Sequence, residues 1–365
     1  MVALGWAAEA AAAGGFDRDA LARVDRHVGI FARRDLAEGF LDGLPVVGAF
    51  GLVEGGAGDG MFAFFQAPRG ADMFVVGAKQ VGSSLGMSKF AIGVLIVGFG
   101  TSLPELASSI AAALAGTTEI VIANVVGSNI TNILLVVGVL AAFGGRIIIK
   151  RDLIKTELPI FFIATAHFLA VVYDGTVDRI EALLLMGTFG AYMWYLFVEA
   201  REEDSIEFQK QGGRRQNLEA KSLAFILLGI AAVLVGAHYT VDMVVNIATM
   251  MTVPVGLVSI GAIAIGTSLP ELFVSIQAIK TGEAELAIGN IFGSNAFNIV
   301  MVIGIPALIT PLIADEVVMN LGMQVLLAAS AIFFVNGLAR QIMRWEGMMM
   351  LLFFSFFIAK LTDFL

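Results

Sequence analysis

Thr101-Ser-Leu-Pro-Glu105 stands in the middle of apolar sequence and returns 166 residues later as Thr267-Ser-Leu-Pro-Glu271. The copies continue in register, Gly127-Ser-Asn-Ile-Thr-Asn132 being answered by Gly293-Ser-Asn-Ala-Phe-Asn298 at the same offset. Residues 101–132 and 267–298 align without a gap and agree at 17 of 32 positions, with the matches concentrated on Thr, Ser, Pro, Glu, Gly and Asn. Shared apolar bulk would mean only two similar helices. Shared polar residues at fixed spacing mean one site built twice.

The chain around this site is 365 residues long, 58% hydrophobic and 15% charged, a composition outside the range of soluble globular proteins. It reads as an all-α polytopic membrane protein. Apolar runs of spanning length fall near 90–115, 119–143, 157–174, 180–198, 222–243, 253–279, 284–312, 317–338 and 345–362. A further span is suggested by Gly70–Leu85, where Gly70-Ala71-Asp72 sits over Gly236-Ala237-His238 at the repeat offset. The expectation is about ten transmembrane helices in two repeats of five. Residues 1–68 contain no span-length run and no basic-then-apolar order of a signal peptide, and read as an atypical extension, poorly ordered or a partial first helix. The first repeat then occupies 69–199, a loop 200–221, and the second repeat 222–365.

Loop charges orient the bundle. The loops after helices 1, 3, 5, 7 and 9 hold Lys79 and Lys89; Arg146, Lys150, Arg151 and Lys155; Arg201, Lys210, Arg214, Arg215 and Lys221; Lys280; and Arg340 and Arg344. The alternate loops hold only Arg179. By the positive-inside rule the first set is cytoplasmic, as is the 199–221 connection. The motif copies fall in helices 2 and 7, five helices apart, so they enter the membrane from opposite sides and the repeats are inverted. That arrangement suits a site opened alternately to either side.

The chemistry follows from residue types. Pro104 and Pro270 lack an N–H, which frees the carbonyls of Gly100 and Gly266. Free carbonyls in hydrocarbon need a partner. Glu105 and Glu271 each follow a proline, and an ionised carboxylate at mid-membrane costs at least about 2.5–3.5 kcal/mol on insertion scales, so a facing pair wants a cation. Thr101, Ser102, Thr267, Ser268, Ser128, Ser294, Asn132 and Asn298 add neutral oxygens. This all-oxygen set fits hard ions, Ca²⁺ or Na⁺, and excludes zinc and copper. Ser128 and Asn132 share a helical face, as do Ser294 and Asn298; packing glue is the alternative reading of such residues when they stand alone. His238 and Asp242, with Asp72 at the matching place in the first repeat, read as packing or water-facing groups, and His167 as a satisfied histidine. The chain has no Cys, so disulfides and thiol chemistry are excluded.

These blocks closely resemble the α-repeats of the calcium/cation antiporter superfamily, in particular its prokaryotic sodium/calcium exchanger branch, over about residues 70–365. The resemblance implies a central Ca²⁺ site formed by Glu105 and Glu271 with the Thr101 and Thr267 carbonyls. It implies flanking Na⁺ sites using Gly98, Thr101 and Ser128 in one half and Ala264, Thr267 and Ser294 in the other, with Asn132 and Asn298 at the remaining central positions. It also implies that helix 1 and its partner 222–243 slide as a gate. Some members carry an aspartate at the position of Asn298, linked to K⁺ transport; the amide here implies K⁺ independence.

The expected function is Na⁺/Ca²⁺ antiport by alternating access, normally exporting Ca²⁺ across a prokaryotic plasma membrane. The alternatives are an H⁺/Ca²⁺ antiporter or a cation channel. No enzyme activity, cofactor or nucleic-acid partner is expected. The ligands are the transported ions, the surroundings are the lipid bilayer, and a site built within one chain does not require an oligomer.

Overall fold

The computed structural model describes residues 57–153, 157–195, 206, 209, 217–250 and 265–363. Most of residues 1–68, the first half of the expected 253–279 span, Ala264 and nearly all of the 199–221 loop therefore lie outside the described residues. The rest is a helical bundle: α1 (Ala57–Leu85), α2 (Lys89–Ala115), α3 (Glu119–Gly144), α4 (Glu157–Asp174), α5 (Arg179–Trp194), α6 (Ala220–Met250), α7 (Leu269–Lys280), α8 (Ala284–Ile309), α9 (Val318–Ala339) and α10 (Arg344–Asp363). Among the described residues α2, α3, α4, the Ala220–His238 part of α6, α8 and α9 are long and apolar enough to cross a membrane. The helix α1 begins at Ala57, ahead of the boundary at 69 expected from the apolar run, and continues unbroken to Leu85.

Burial sorts these helices. The most apolar stretches of α3 and α8 are 78% and 83% buried, against 28% for α6 and 39% for α9, so α3 and α8 form the centre and α6 and α9 the rim. Small residues set the closest contacts. A methyl added to Gly289 or Gly293 of α8 would collide with the carbonyl of Phe90 or Val94 on α2, and one added to Gly98 would lie 2.8 Å from the Ser294 nitrogen. Contacts therefore climb both helices together, and α2 and α8 run parallel with their backbones touching. On the other flank α1 and α6 run antiparallel, with Gly70 against Ala232 and Gly77 against Ser222 and Ile226.

Two helices are interrupted where the motifs lie. The α2 ladder ends with Ser102 N–H on the Gly98 carbonyl and resumes with Leu106 N–H on Ser102, each at 3.2 Å. Ser102 sits at φ −87°, ψ 0°, outside helical geometry, because Pro104 two residues on has no N–H to donate and crowds the preceding turn. Ser268 repeats this at φ −92°, ψ 1°. Wider π-helical turns at Thr131–Val137 and Asn298–Val302 loosen α3 and α8 beside the breaks.

The two ends of the bundle differ. Four two-residue strands, β1 (Ile147–Ile148), β2 (Thr176–Val177), β3 (Leu312–Ile313) and β4 (Gln341–Ile342), pair antiparallel as β1 with β4 and β2 with β3. At the β1–β4 end Lys79 and Lys89 meet the two oxygens of Glu283 at 2.5 and 2.8 Å. Arg151 meets Glu157 at 2.9 Å and donates its main-chain N–H to Glu285 at 3.2 Å, and Arg340 meets Asp152 at 2.6 Å. The connections after α1, α3, α7 and α9 thus share one face, the face that loop charge grouped together. The β2–β3 end carries Arg179, which donates to the Ile309 carbonyl.

Partial burial works to raise the Glu283 carboxyl, but hydrogen bonds and positive charge from Lys79 and Lys89 outweigh it and hold the group below its ordinary value. A carboxylate so depressed contributes stability above its unfolded-state pKa, and the contribution fades as pH falls through the folded-state value. Glu283→Gln should therefore lower the thermal midpoint of the detergent-solubilised protein at neutral pH and converge with the wild type in strong acid. A deficit that is constant with pH would make the residue a packing element.

For the helix contact, Gly289→Ala should cost about 1–3 kcal/mol through overpacking, read as a lower thermal midpoint. Gly187→Ala, whose methyl meets nothing within 4 Å among the described residues, should leave the midpoint at or above the wild type. Equal midpoints for the two variants would mean that α2 and α8 do not depend on backbone contact.

Candidate functional site

The broken helices bring both motif copies into the centre of the bundle. Thr101, Ser102, Glu105, Ser128, Asn132, Ser268, Glu271, Ser294 and Asn298 are all 0–1% exposed. Gly98 is buried and Thr267 half-buried, while Ala264 lies outside the described residues.

Hydrogen bonds join the copies across the chain. Ser294 Oγ donates to the Gly98 carbonyl at 3.2 Å and lies 3.3 Å from Thr101 Oγ1. Ser102 Oγ donates to Glu271 Oε1 at 3.5 Å, and Ser268 Oγ to the Ser128 carbonyl at 3.3 Å. Asn298 Nδ2 lies 3.4 Å from Ser128 Oγ. These contacts cross the halves: Gly98 and Thr101 meet Ser294, and Ser128 meets Ser268 and Asn298, whereas the resemblance groups Gly98 and Thr101 with Ser128. The reason is the parallel glycine contact of α2 with α8, which lays Gly98 directly under Ser294.

Donors are scarce where acceptors are many. Both Glu105 oxygens, Glu271 Oε2, Asn132 Oδ1 and Asn298 Oδ1 are buried with no hydrogen-bond partner among the described residues. Buried acceptors without donors are costly, and a cluster of five oxygens, three of them from carboxylates, is what a dehydrated cation satisfies. No group of three or more His, Cys, Asp and Glu forms a metal cluster among the described residues, so such an ion would rest on two carboxylates and neutral oxygens.

Sequence reading passed over a supporting layer of side chains. Asn290 accepts from Thr101 Oγ1 at 3.2 Å and donates to Ser275 Oγ at 2.9 Å; the matching Asn124 donates to Ser109 Oγ at 3.5 Å. Asn132 Nδ2 donates to Asn295 Oδ1 at 3.3 Å, and Asn298 Nδ2 to Asn129 Oδ1 at 3.2 Å. The signal that could have found these residues is the repeat offset itself, since 124/290, 129/295 and 109/275 are each 166 apart and identical. Elsewhere His167 Nδ1 lies 2.8 Å from Thr188 Oγ1, a satisfied histidine, and Asp72 accepts from Gln277 at 3.0 Å. His238 is exposed, and the Asp242 side chain lies outside the described residues.

A bundle of apolar spanning helices around buried, donor-poor carboxylates defines a multi-pass integral membrane protein that handles cations. The chain belongs to the sodium/calcium exchanger protein family, which matches it at residues 61–198 and 221–362. It is 36% identical over 278 residues to inner membrane protein YrbG of Escherichia coli strain K12, spanning 72% of this chain and 82% of that protein. It is 32% identical over 331 residues to sodium/calcium exchanger MaX1 of Methanosarcina acetivorans, spanning 80% of this chain and 94% of that one. Among solved structures, the sodium-calcium exchanger NCX_Mj soaked with Na⁺ and Ca²⁺ superposes with a TM-score of 0.67 at 29% identity, covering 81% of this chain and 95% of the other.

Glu105→Gln and Glu271→Gln test the cluster. Each removes a buried charge at constant shape, so the ion-free variant should be at least as thermally stable as the wild type. Each should also lose most of the stabilisation that added Ca²⁺ or Na⁺ confers. A variant whose midpoint still rises with cation as in the wild type would place that carboxylate outside the site.

Proposed function

We propose that this chain is a secondary antiporter that exchanges Na⁺ for Ca²⁺ by alternating access, normally exporting Ca²⁺ across a prokaryotic inner membrane. The observation that carries the reading is the buried pair Glu105 and Glu271, three of whose four oxygens, with those of Asn132 and Asn298, lack donors among the described residues. Ca²⁺ takes the two carboxylates and the neutral oxygens around them. Na⁺ takes smaller subsets: Gly98 and Thr101 with Ser294, and, at the place related by the offset, Ala264 and Thr267 with Ser128. Ser102 and Ser268 support the carboxylate and the carbonyl that they touch.

The proposed architecture is ten spans in two inverted repeats, 69–199 and 222–365 with the start of α1 added to the first, joined by the 200–221 loop. The crossed strand pairs support it, because β1 with β4 and β2 with β3 exchange places under the repeat offset to within one residue. So does the clustering of basic connections on one face, which is assigned to the cytoplasm. The chain performs no covalent chemistry and needs no cofactor; a single copy holds both halves of the site.

Charge counting gives the cycle its electrical sign. With both glutamates ionised and both asparagines neutral, the empty site carries two negative charges. One Ca²⁺ neutralises it, whereas three Na⁺ leave one positive charge, so the Na⁺-loaded step moves charge across the membrane. The potential contributes about 2.3 kcal/mol per elementary charge per 100 mV. Proteoliposomes with an imposed Na⁺ gradient should therefore exchange ⁴⁵Ca²⁺ without K⁺ on either side, and a potential negative on the side that Na⁺ enters should speed Ca²⁺ exit. Exchange driven only by a pH gradient would replace Na⁺ with H⁺ as the coupling ion, a strict K⁺ requirement would overturn the branch assignment, and indifference to potential would remove the three-for-one cycle.

A further inference from the structure

A carboxamide is nearly symmetric in shape but has opposite ends: the oxygen accepts and ligates cations, and the nitrogen donates and repels them. A site that uses asparagine oxygens must hold each amide the right way round. The Asn298 nitrogen faces two acceptors on α3, Asn129 Oδ1 at 3.2 Å and Ser128 Oγ at 3.4 Å. Ser128 spends its own hydrogen on the Asn124 carbonyl at 2.7 Å, which leaves its lone pairs toward Asn298. Asn129 is itself anchored, because its Nδ2 donates to the main-chain carbonyl of Asn295 at 3.2 Å. A peptide carbonyl only accepts and cannot turn over, so it fixes Asn129, and Asn129 fixes Asn298. The Asn298 oxygen is what remains, buried and without a donor among the described residues. The other half repeats the first link but not the anchor: Asn132 donates to Asn295 Oδ1 at 3.3 Å and keeps its own Oδ1 without a donor, while Asn295 Nδ2 is buried without a partner among the described residues. All four amides are 0–1% exposed, so their partners are drawn from the interior of the bundle.

We propose that Asn129 and Asn295 are positioning residues that set the direction of the ligand amides, so that Asn298 and Asn132 present oxygen to the transported cation. The proposal rests on the exchanger reading and adds residues to it that touch no ion. A reversed Asn129 would set nitrogen against nitrogen at Asn298 and oxygen against oxygen at the Asn295 carbonyl. The same lock bears on specificity: an acid at position 298 would need a donor from residue 129, whereas the anchored Asn129 offers an acceptor, which matches the amide in this chain.

The test is Na⁺-driven ⁴⁵Ca²⁺ uptake into proteoliposomes by the full chain, with half-saturation and turnover measured separately. Asn129→Leu keeps the volume and removes the acceptor. Outer groups that orient metal ligands typically change affinity about 10- to 100-fold when removed, so half-saturating Ca²⁺ should rise by that factor with turnover at saturating Ca²⁺ little changed. In an Asn298→Ala background there is no amide left to orient, and adding Asn129→Leu should change half-saturation no further; equal losses in both backgrounds would make Asn129 merely structural and overturn the proposal. Asn295→Leu, acting on Asn132, should shift half-saturation in the same direction and gives the answer if Asn129→Leu does not fold. Wild-type exchange with unaltered half-saturation in the variants overturns the positioning role alone. Absence of Ca²⁺ exchange by the wild type overturns the exchanger reading and the proposal that rests on it.

Discussion

Two carboxylates are buried among apolar helices, and every other feature of the centre serves that constraint. Each charge costs several kcal/mol to hold in hydrocarbon, and here neither Glu105 oxygen nor Glu271 Oε2 has a hydrogen-bond partner among the described residues, while Glu271 Oε1 accepts from the neutral Ser102 hydroxyl at 3.5 Å. A permanent structural role would have supplied an arginine or a row of N–H groups, as at the face where Arg151 and Glu157 meet at 2.9 Å. Glu157 is satisfied by the protein, whereas both Glu105 oxygens and Glu271 Oε2 have no partner among the described residues, the contrast on which the proposed ion site rests.

Holding such a pair demands that neutral oxygens crowd around it, and oxygens can converge only if backbones do. Glycines at 93, 98, 289 and 293 remove the side chains that would keep α2 and α8 apart. Proline then opens the helices where the oxygens are wanted, releasing carbonyls that a regular helix would consume. Neither device suffices alone: a break without close approach would leave carbonyls facing lipid, and close approach without a break would leave them bonded within their own helix.

Among the described residues, the end of the bundle that gathers the basic connections is tied more heavily than the other. Glu283 holds Lys79 at the end of α1 and Lys89 at the start of α2, and Gln277 of α7 holds Asp72 of α1. The repeat offset places Thr117 opposite Glu283 and Val245 opposite Lys79, so these links have no ionic counterpart in the other half. A chain built from two copies thus repeats its polar residues at the centre and is unequal where α1 meets its neighbours.

The sequence by itself determined the membrane class, the duplication, the family and the grouping of the connections, because each is carried by residue type and spacing along one strand of text. Helical period also showed that Ser128 with Asn132, and Ser294 with Asn298, share a face. Period stops at the edge of a helix. That Gly98 and Thr101 meet Ser294, that Ser128 meets Ser268, and that Asn129 accepts from Asn298 were decided only in the tertiary structure. The offset marks positions as equivalent but does not say which equivalents touch. The glycine contact between parallel α2 and α8 makes that choice, and the one-way hydrogen bond from Asn129 to the Asn295 main-chain carbonyl sets Asn129 Oδ1 toward the Asn298 nitrogen.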